Sequence, residues 1–233
     1  MMHSSSNGDR SPFGDSLSDE ARTAFARLGS RRRYAVGDVL INEGDYAQEL
    51  LVLHEGLVKV TAQLDNDCES LMDIRVAGEV VGEVAAMDLG PRSATVTACG
   101  DVVATVIPRH ELMPFLTANP ETVLALNRML CRRLRRSDRW RLEFGSYPVL
   151  IRLARVLVEL AVSYGQPDRN AVRIGVNLSQ SEYAALTGSR TNTVHKMFTR
   201  LRKDEIVRTG ERYTCIRDLD RLRQVAKLHA PDT

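Results

Sequence analysis

No apolar run in these 233 residues approaches the roughly 18 to 20 that a helix needs to cross a bilayer. The most apolar stretch, Val149 to Val162, is interrupted by Arg152, Arg155 and Glu159, so neither a membrane-spanning helix nor a membrane partner is expected. Cysteine is sparse. Cys68, Cys99, Cys131 and Cys215 lie far apart with no CxxC pair, and a chain of this size needs no disulfide staples, which points to reduced thiols in a cytoplasm. Gly and Pro together contribute 23 residues, too few for a collagen-like, mucin-like or low-complexity chain. Aromatics stand at 5% beside 43% hydrophobic and 27% charged residues, an ordinary composition for a globular protein with a packed core. Met1 to Ser16 lacks the basic-then-apolar order of a secretory signal, and residues 1–17 read as a disordered lead-in. Lysine is scarce as well, since 28 of the 32 basic residues are Arg, a bias of genome composition more than of chemistry.

What is present is a charge asymmetry that the net value of +2 conceals. Residues 1–127 carry 10 Lys or Arg against 19 Asp or Glu, a net of −9, whereas residues 128–233 carry 22 against 11, a net of +11. A basic half attached to an acidic half suggests nucleic-acid contact by the basic one.

The periodicity also changes along the chain. Ser18 to Leu28 is an amphipathic helix with Ser18 as its N-cap. From Tyr34 to Ile107 come short apolar or alternating runs, Val39–Ile41, Leu50–Leu53, Leu57–Leu64, Leu71–Val76, Ala94–Ala98 and Val102–Ile107, punctuated by glycines, as in an antiparallel barrel or sandwich. Residues 18–118 therefore form a β domain. Asn119, Pro120 and Glu121 start a long helix over 119–144, whose apolar positions Val123, Leu126, Leu130 and Leu134 continue through Ser137 to Trp140 and Phe144. Such a seam packs either on its own β domain or against a second copy, and a dimer helix is the reading adopted. Gly145 to Pro148 break it and open the third part, 145–233, with a helix over Val149–Tyr164, a strand over Val172–Val176, and a further helix from Asp218.

Within that basic part, Ser179 caps a helix from Gln180 to Leu186, and Glu182 completes a capping box. Gly188 supplies a tight turn. The next helix, Thr191 to Asp204, exposes Arg190, Thr191, Asn192, Thr193, His195, Lys196, Thr199 and Arg200 and turns Val194, Met197, Phe198 and Leu201 inward. With the hairpin Glu205–Arg217 behind it, this is a winged helix-turn-helix. Ser179, Gln180, Ser189, Arg190, Thr191, Asn192, Thr193, His195, Lys196 and Arg200 are the candidate contacts to duplex DNA, with Arg208 and Arg212 as weaker wing candidates. No P-loop, metal-ligand cluster or Ser/His/Asp constellation accompanies it, so neither an enzyme nor a metal site is expected.

In the acidic half, Gly82 and Glu83 precede a helical turn at Val84–Met87, and Arg92 and Ser93 lead into a strand. Helix-end N–H groups and an Arg can converge on phosphate oxygens while a carboxylate accepts from a ribose hydroxyl. Taken alone, one Arg and one Glu are as simply explained by an ion pair. Gly82, Glu83 and, nine positions on, Arg92, Ser93 and Ala94 resemble the phosphate-binding cassette of cyclic-nucleotide-binding domains, and Glu55, Gly56, Val58 and Val60 match the strand pattern before it. Together with the winged helix-turn-helix, the chain from Ser18 to Leu228 resembles the cyclic-AMP receptor protein and FNR family of bacterial transcription regulators.

The resemblance implies an α+β fold: a jelly-roll-like β-barrel that binds a cyclic nucleotide, a dimerisation helix and a DNA-binding winged helix. It implies that Arg92, Ser93 and the backbone of Gly82 to Val84 hold the cyclic phosphate of cyclic AMP or cyclic GMP, and that Glu83 holds the ribose. Ser137 and, across the dimer, Asp138 would meet the purine. The partners implied are duplex DNA, a second copy and, for activation, RNA polymerase. A family member that binds DNA without ligand would instead pair Arg92 internally, with Glu83 or Asp88. The family's iron–sulfur branch has a cysteine cluster near its N-terminus, whereas the first cysteine here is Cys68, and isolated His54 and His110 are poor haem ligands; neither cofactor is expected. The recognition helix reads Ser189-Arg190-Thr191-Asn192-Thr193-Val194 where the family commonly has Ser-Arg-Glu-Thr-Val, so the DNA site should differ.

Overall fold

The computed structural model describes residues 13–63, 69–210 and 213–228. Cys68 and Arg212 lie outside them, as do residues 1–12. The lead-in expectation is corrected at its end. Phe13–Ser16 form a 3₁₀ turn, and Phe13 and Leu17 are buried because their apolar side chains fill a core beside Phe25. Packing divides the chain into two compact units that part between Arg135 and Arg136.

The first unit opens with α1 (Asp19–Phe25), capped by Ser18 Oγ, which accepts from Ala21 N at 3.2 Å. Its strands are β1 (Ser30–Tyr34), β2 (Val39–Ile41), β3 (Leu50–Glu55), β4 (Leu57–Gln63), β5 (Glu69–Val76), β6 (Val80–Val81), β7 (Thr95–Ala98) and β8 (Val102–Ile107). They pair antiparallel in two four-stranded sheets, β1-β8-β3-β6 and β2-β7-β4-β5. The inward side chains of both sheets, among them Leu51, Leu53, Val58, Val96 and Ala104, share one core, as alternation demands. The arrangement is two sheets rather than a closed barrel. Helix α2 (Glu83–Asp88) sits between β6 and β7, and α3 (Arg109–Ala118) follows β8. A second core holds α1, α3 and the start of α4 (Pro120–Ser146) against Leu50, Val80 and Ile107.

Helix α4 runs two residues beyond the expected end, and its apolar seam is not a single surface. Leu126 is buried in the second core, with Val123 and Leu130 packed against it, so this part of the predicted seam is covered by the chain's own β domain. Leu134, further along that seam, is exposed, as are Leu124 and Leu142 beside it.

In the second unit, α5 (Val149–Tyr164) buries an apolar face of nine residues. The expected loop after it contains a strand, β9 (Gly165–Asp168), which pairs with β10 (Ala171–Ile174). Helices α6 (Gln180–Leu186) and α7 (Thr191–Lys203) follow, then the hairpin β11 (Val207–Gly210) and β12 (Tyr213–Ile216), and α8 (Leu219–Val225). The sheet order is β11-β12-β10-β9.

Candidate ligand pocket and nucleic-acid interface

The first unit holds an open pocket, with about 420 Å³ of free space when its mouth is included. One side is apolar, with Ile41, Val60, Val81 and Val96. The other brings together Glu83, Arg92 and Ser93, as the sequence predicts, and adds Arg75 and Arg133, which it does not.

Local backbone geometry explains the cassette. Gly82 has φ of 80°, and a Cβ there would lie 2.5 Å from Arg92 Nη1 and 2.8 Å from the Glu49 carbonyl oxygen, so only glycine lets the turn and the guanidinium meet. Arg92 Nη1 donates to the Gly82 carbonyl at 2.9 Å and Nη2 to Glu49 Oε2 at 3.0 Å. Its backbone N–H donates to Asp45 O at 2.8 Å. The residue is only 4% exposed, and its Nε is buried without a hydrogen-bond partner. Burial pushes the Arg92 pKa down, opposed by Glu49, Glu83 and Asp45. Ser93 is exposed at the mouth.

The expected internal partners of Arg92 are corrected here. Its ion pair is with Glu49, not with Glu83 or Asp88, because Glu83 is occupied from α4. Arg133 Nη1 donates to Glu83 Oε1, Nη2 donates to Val80 O at 2.8 Å, and Glu79 lies 3.8 Å away. Burial lowers the Arg133 pKa, Glu83 opposes this, and neighbouring Arg75 adds to the lowering. Arg75 Nη1 bonds Asp73, and its Nε lies 3.8 Å from Glu79 Oε1. Burial lowers the Arg75 pKa, yet Asp73, Glu79 and Glu83 outweigh it, and the net direction is upward. Each pocket guanidinium thus has a carboxylate beside it. The crowd of arginines at 132–136 was visible in the sequence; that Arg133 is the one turned to Glu83 was not.

Ser137 and Asp138 are exposed on α4 in the second unit and do not line this pocket, which is built within the first unit. Among the described residues, no group of three or more His, Cys, Asp or Glu is arranged to hold a metal. His54 Nε2 is instead engaged with Thr105 Oγ1 at 2.7 Å.

The second unit contains the winged helix-turn-helix. Ser179 and Glu182 form the capping box, with Glu182 Oε2 accepting from Ser179 N at 2.7 Å and Ser179 Oγ from Glu182 N at 3.2 Å. The turn is fixed by Ser189 N donating to Ala184 O at 2.9 Å and by Thr187 Oγ1 donating to Tyr183 O at 2.8 Å, with Gly188 at φ of 56°. Tyr183 of α6 meets Phe198 of α7 edge-on at 5.0 Å, and its hydroxyl donates to Thr214 Oγ1 on β12 at 3.2 Å, tying both helices to the wing. Burial pushes the Tyr183 hydroxyl up to about 12.

Helix α7 turns Val194, Phe198 and Leu201 into this core. Arg190, Thr191, Asn192, His195, Lys196 and Arg200 are exposed, Thr193 and Met197 are half-buried, and Ser189 lies at the turn, sharing a 3.0 Å bond with Thr187. On α6, Ser179 is exposed and Gln180 half-buried. In the wing, Arg173 and Arg208 lie over the Tyr213 ring at 5.5 and 5.7 Å.

Two family models match the chain: the cyclic nucleotide-binding domain over residues 31–119 and the Crp-like helix-turn-helix domain over residues 151–225. The chain is 29% identical over 191 residues to the CRP-like cAMP-activated global transcriptional regulator of Mycobacterium tuberculosis, covering 82% of this chain and 85% of that protein. It is 26% identical over 217 residues to the cyclic AMP receptor protein of Thermus thermophilus, covering 93% and 97%. Among solved structures, a CRP-family transcriptional regulator from Thermus thermophilus matches with a TM-score of 0.72 at 25% identity, covering 84% of this chain and 96% of the other. The c-di-GMP responsive global regulator of Xanthomonas campestris shares the fold, with a TM-score of 0.74 at 20% identity over 85% and 99%.

Proposed function

The chain belongs to the cyclic-AMP receptor protein and FNR family of bacterial transcription regulators, and from that premise we propose that it is a homodimer that binds a specific duplex DNA site under the control of cyclic AMP or cyclic GMP. The observation that carries the ligand reading is Arg92, a buried guanidinium with an unpartnered Nε in a pocket shared with Ser93 and Glu83. A cyclic phosphate would accept from Arg92, Ser93 and the backbone N–H groups of Gly82 to Val84. A ribose hydroxyl would donate to Glu83, sharing the carboxylate with Arg133. Ser137 and the second copy's Asp138 would meet the purine.

Dimerisation is supported by exposed apolar side chains on α4, Leu134 on the predicted seam and Leu124 and Leu142 beside it, which a second copy would remove from water. Two copies of α7 would then enter successive major grooves about 34 Å apart, and a ligand that binds the DNA-competent arrangement more tightly would raise its population. Arg190, Thr191, Asn192, Thr193, His195, Lys196 and Arg200 would face the DNA, with Ser179, Gln180 and Ser189 at helix ends near phosphates. Activation would add a contact with RNA polymerase. A cytoplasmic location fits the relatives' roles as transcription regulators.

Calorimetric titration with cyclic AMP and cyclic GMP, beside Arg92→Ala and beside mobility-shift assays with and without nucleotide, tests the reading. Saturable binding lost in Arg92→Ala and ligand-dependent DNA affinity support it; an unaffected mutant overturns the cassette assignment. The Arg92–Glu49 pair favours a second reading, in which Glu49 stands in for the ligand and the apo protein binds DNA. No heat with either nucleotide, together with tight apo binding to DNA, would select that one.

A further inference from the structure

The inward stripe of α7, Val194, Phe198 and Leu201, is buried to 0, 0 and 1% exposure, which fixes the helix's rotation. At 3.6 residues per turn, Asn192 and Lys196 project within about 30° of the direction opposite that stripe. They lie one turn apart near the helix's N-terminal end, the part that reaches base edges when a recognition helix docks. Both are exposed, and among the described residues neither side chain has a hydrogen bond or ion pair within the chain. Thr199, the next residue outward on that side, is already committed: its hydroxyl donates to His195 O at 2.9 Å and accepts from Arg202 Nη2 at 2.9 Å. Arg202 in turn reaches Thr209 at 3.0 Å. Two side chains are therefore left free to read bases.

Their chemistry selects the bases. An Asn amide offers one acceptor and one donor side by side, which matches adenine's N6 amino group and N7. Guanine presents two acceptors in those places, so the amide oxygen would face O6 or N7 without a proton between them. Lys196 has donors only and matches guanine O6 and N7. Four residues of helix span about 6 Å, and base pairs are stacked about 3.4 Å apart, so the two bases lie one or two steps from each other. We infer that each half-site contains an adenine read by Asn192 and, one or two base pairs away, a guanine read by Lys196. Arg200 projects further to one side, Arg190 precedes the helix as its N-cap and Thr191 stands at its first position, and these serve the phosphates. The inference rests on the DNA-binding reading above and deepens it.

The test is selection from a random duplex library by the full-length protein, run without nucleotide, with cyclic AMP and with cyclic GMP. Wild type is compared with Asn192→Ala, Asn192→Glu and Lys196→Ala, with circular dichroism confirming that each variant is folded. Wild type should enrich a two-fold site with one fixed adenine and one nearby guanine per half. Asn192→Glu should change that adenine to cytosine, whose amino group a carboxylate accepts, and keep the other positions. Asn192→Ala should lose at least fivefold preference at that one position, and Lys196→Ala should relax the guanine. Asn192→Glu or Asn192→Ala enriching the wild-type site unchanged overturns the inference while leaving DNA binding intact. If folded wild type enriches no sequence in any arm, the DNA-binding reading itself fails and takes the inference with it.

Discussion

Glu49→Gln should tighten nucleotide binding, although it removes a charge from beside the ligand's anchor. Glu49 Oε2 lies 3.0 Å from Arg92 Nη2, and the Arg92 side chain is 3% exposed while that of Glu49 is 40% exposed. Unit charges about 4 Å apart attract by about 4 kcal/mol at an effective dielectric near 20, which is the ceiling here. Water reaches the carboxylate, and pairs open to solvent are worth only about 1 kcal/mol or less, so the competition set by Glu49 falls at about 1 to 2 kcal/mol. A phosphate arriving at Arg92 must overcome that attraction and the repulsion between two anions. Gln keeps the side chain's shape and its carbonyl can still accept from Nη2, so Arg92 stays in place while the competing charge is gone. Titration calorimetry near pH 7 should then show a dissociation constant lower by about five- to thirtyfold for whichever cyclic nucleotide binds. The apo protein should melt at a lower temperature than wild type, since a buried cation has lost its counter-charge, and saturating nucleotide should recover most of the difference. An affinity equal to or weaker than wild type would refute the reasoning, because it would make Glu49 either irrelevant to the anion site or one of the ligand's own contacts.

Tyr183 sets an alkaline limit on the second unit: its hydroxyl, ordinarily near 10, is pushed up to about 12, so its contribution is intact below pH 10 and about 3 kcal/mol of stability is lost as pH rises through 12. Denaturant midpoints measured from pH 9 to 12 should fall less steeply in Tyr183→Phe. Phe198→Ala removes a fully buried ring that meets Tyr183 edge-on and should cost about 3 to 5 kcal/mol, seen as a lower thermal midpoint and loss of DNA binding. Leu134→Glu should give a monomer by sedimentation equilibrium at concentrations where wild type is dimeric, with nucleotide binding in the β domain less affected than DNA affinity; an unchanged dimer would place the interface elsewhere on the molecule.

The reach of sequence reading follows the distance over which each structure is built. The capping box at Ser179 and Glu182, the turn at Gly188 and the alternation of β7 are settled by neighbours within a few residues, and all three were legible. The order Gly82, Glu83, Arg92, Ser93 was visible too, but one Arg and one Glu alone read equally as an ion pair, and the family resemblance is what singled them out. The partners that decide the electrostatics come from farther away: Glu49 lies 43 positions from Arg92, and Arg133 lies 50 from Glu83. Nothing in the local pattern around Glu49 distinguishes it from any other surface carboxylate. Strand β1 was missed for a related reason. Ser30–Tyr34 contains three arginines and no alternation, and it is held at a sheet edge by backbone pairing with β8, which a hydrophobic pattern does not record.

The α4 seam marks the limit most sharply. A period of three to four states that a helix has an apolar side, but it does not state what covers that side. Leu126 is 1% exposed because α1, α3 and the sheet core meet it, whereas Leu134, two turns further along the same apparent stripe, is 62% exposed. The two leucines are equivalent in the sequence and differ only in the surface that the rest of the chain brings to them. Where the chain brings none, the exposed Leu124, Leu134 and Leu142 need an outside surface to be removed from water, and a symmetric partner supplies one without any additional sequence feature. The seam read as uniform therefore divides into a part that anchors the β domain, at Leu126, and a part that the chain leaves exposed, at Leu134, and only the fold separates them.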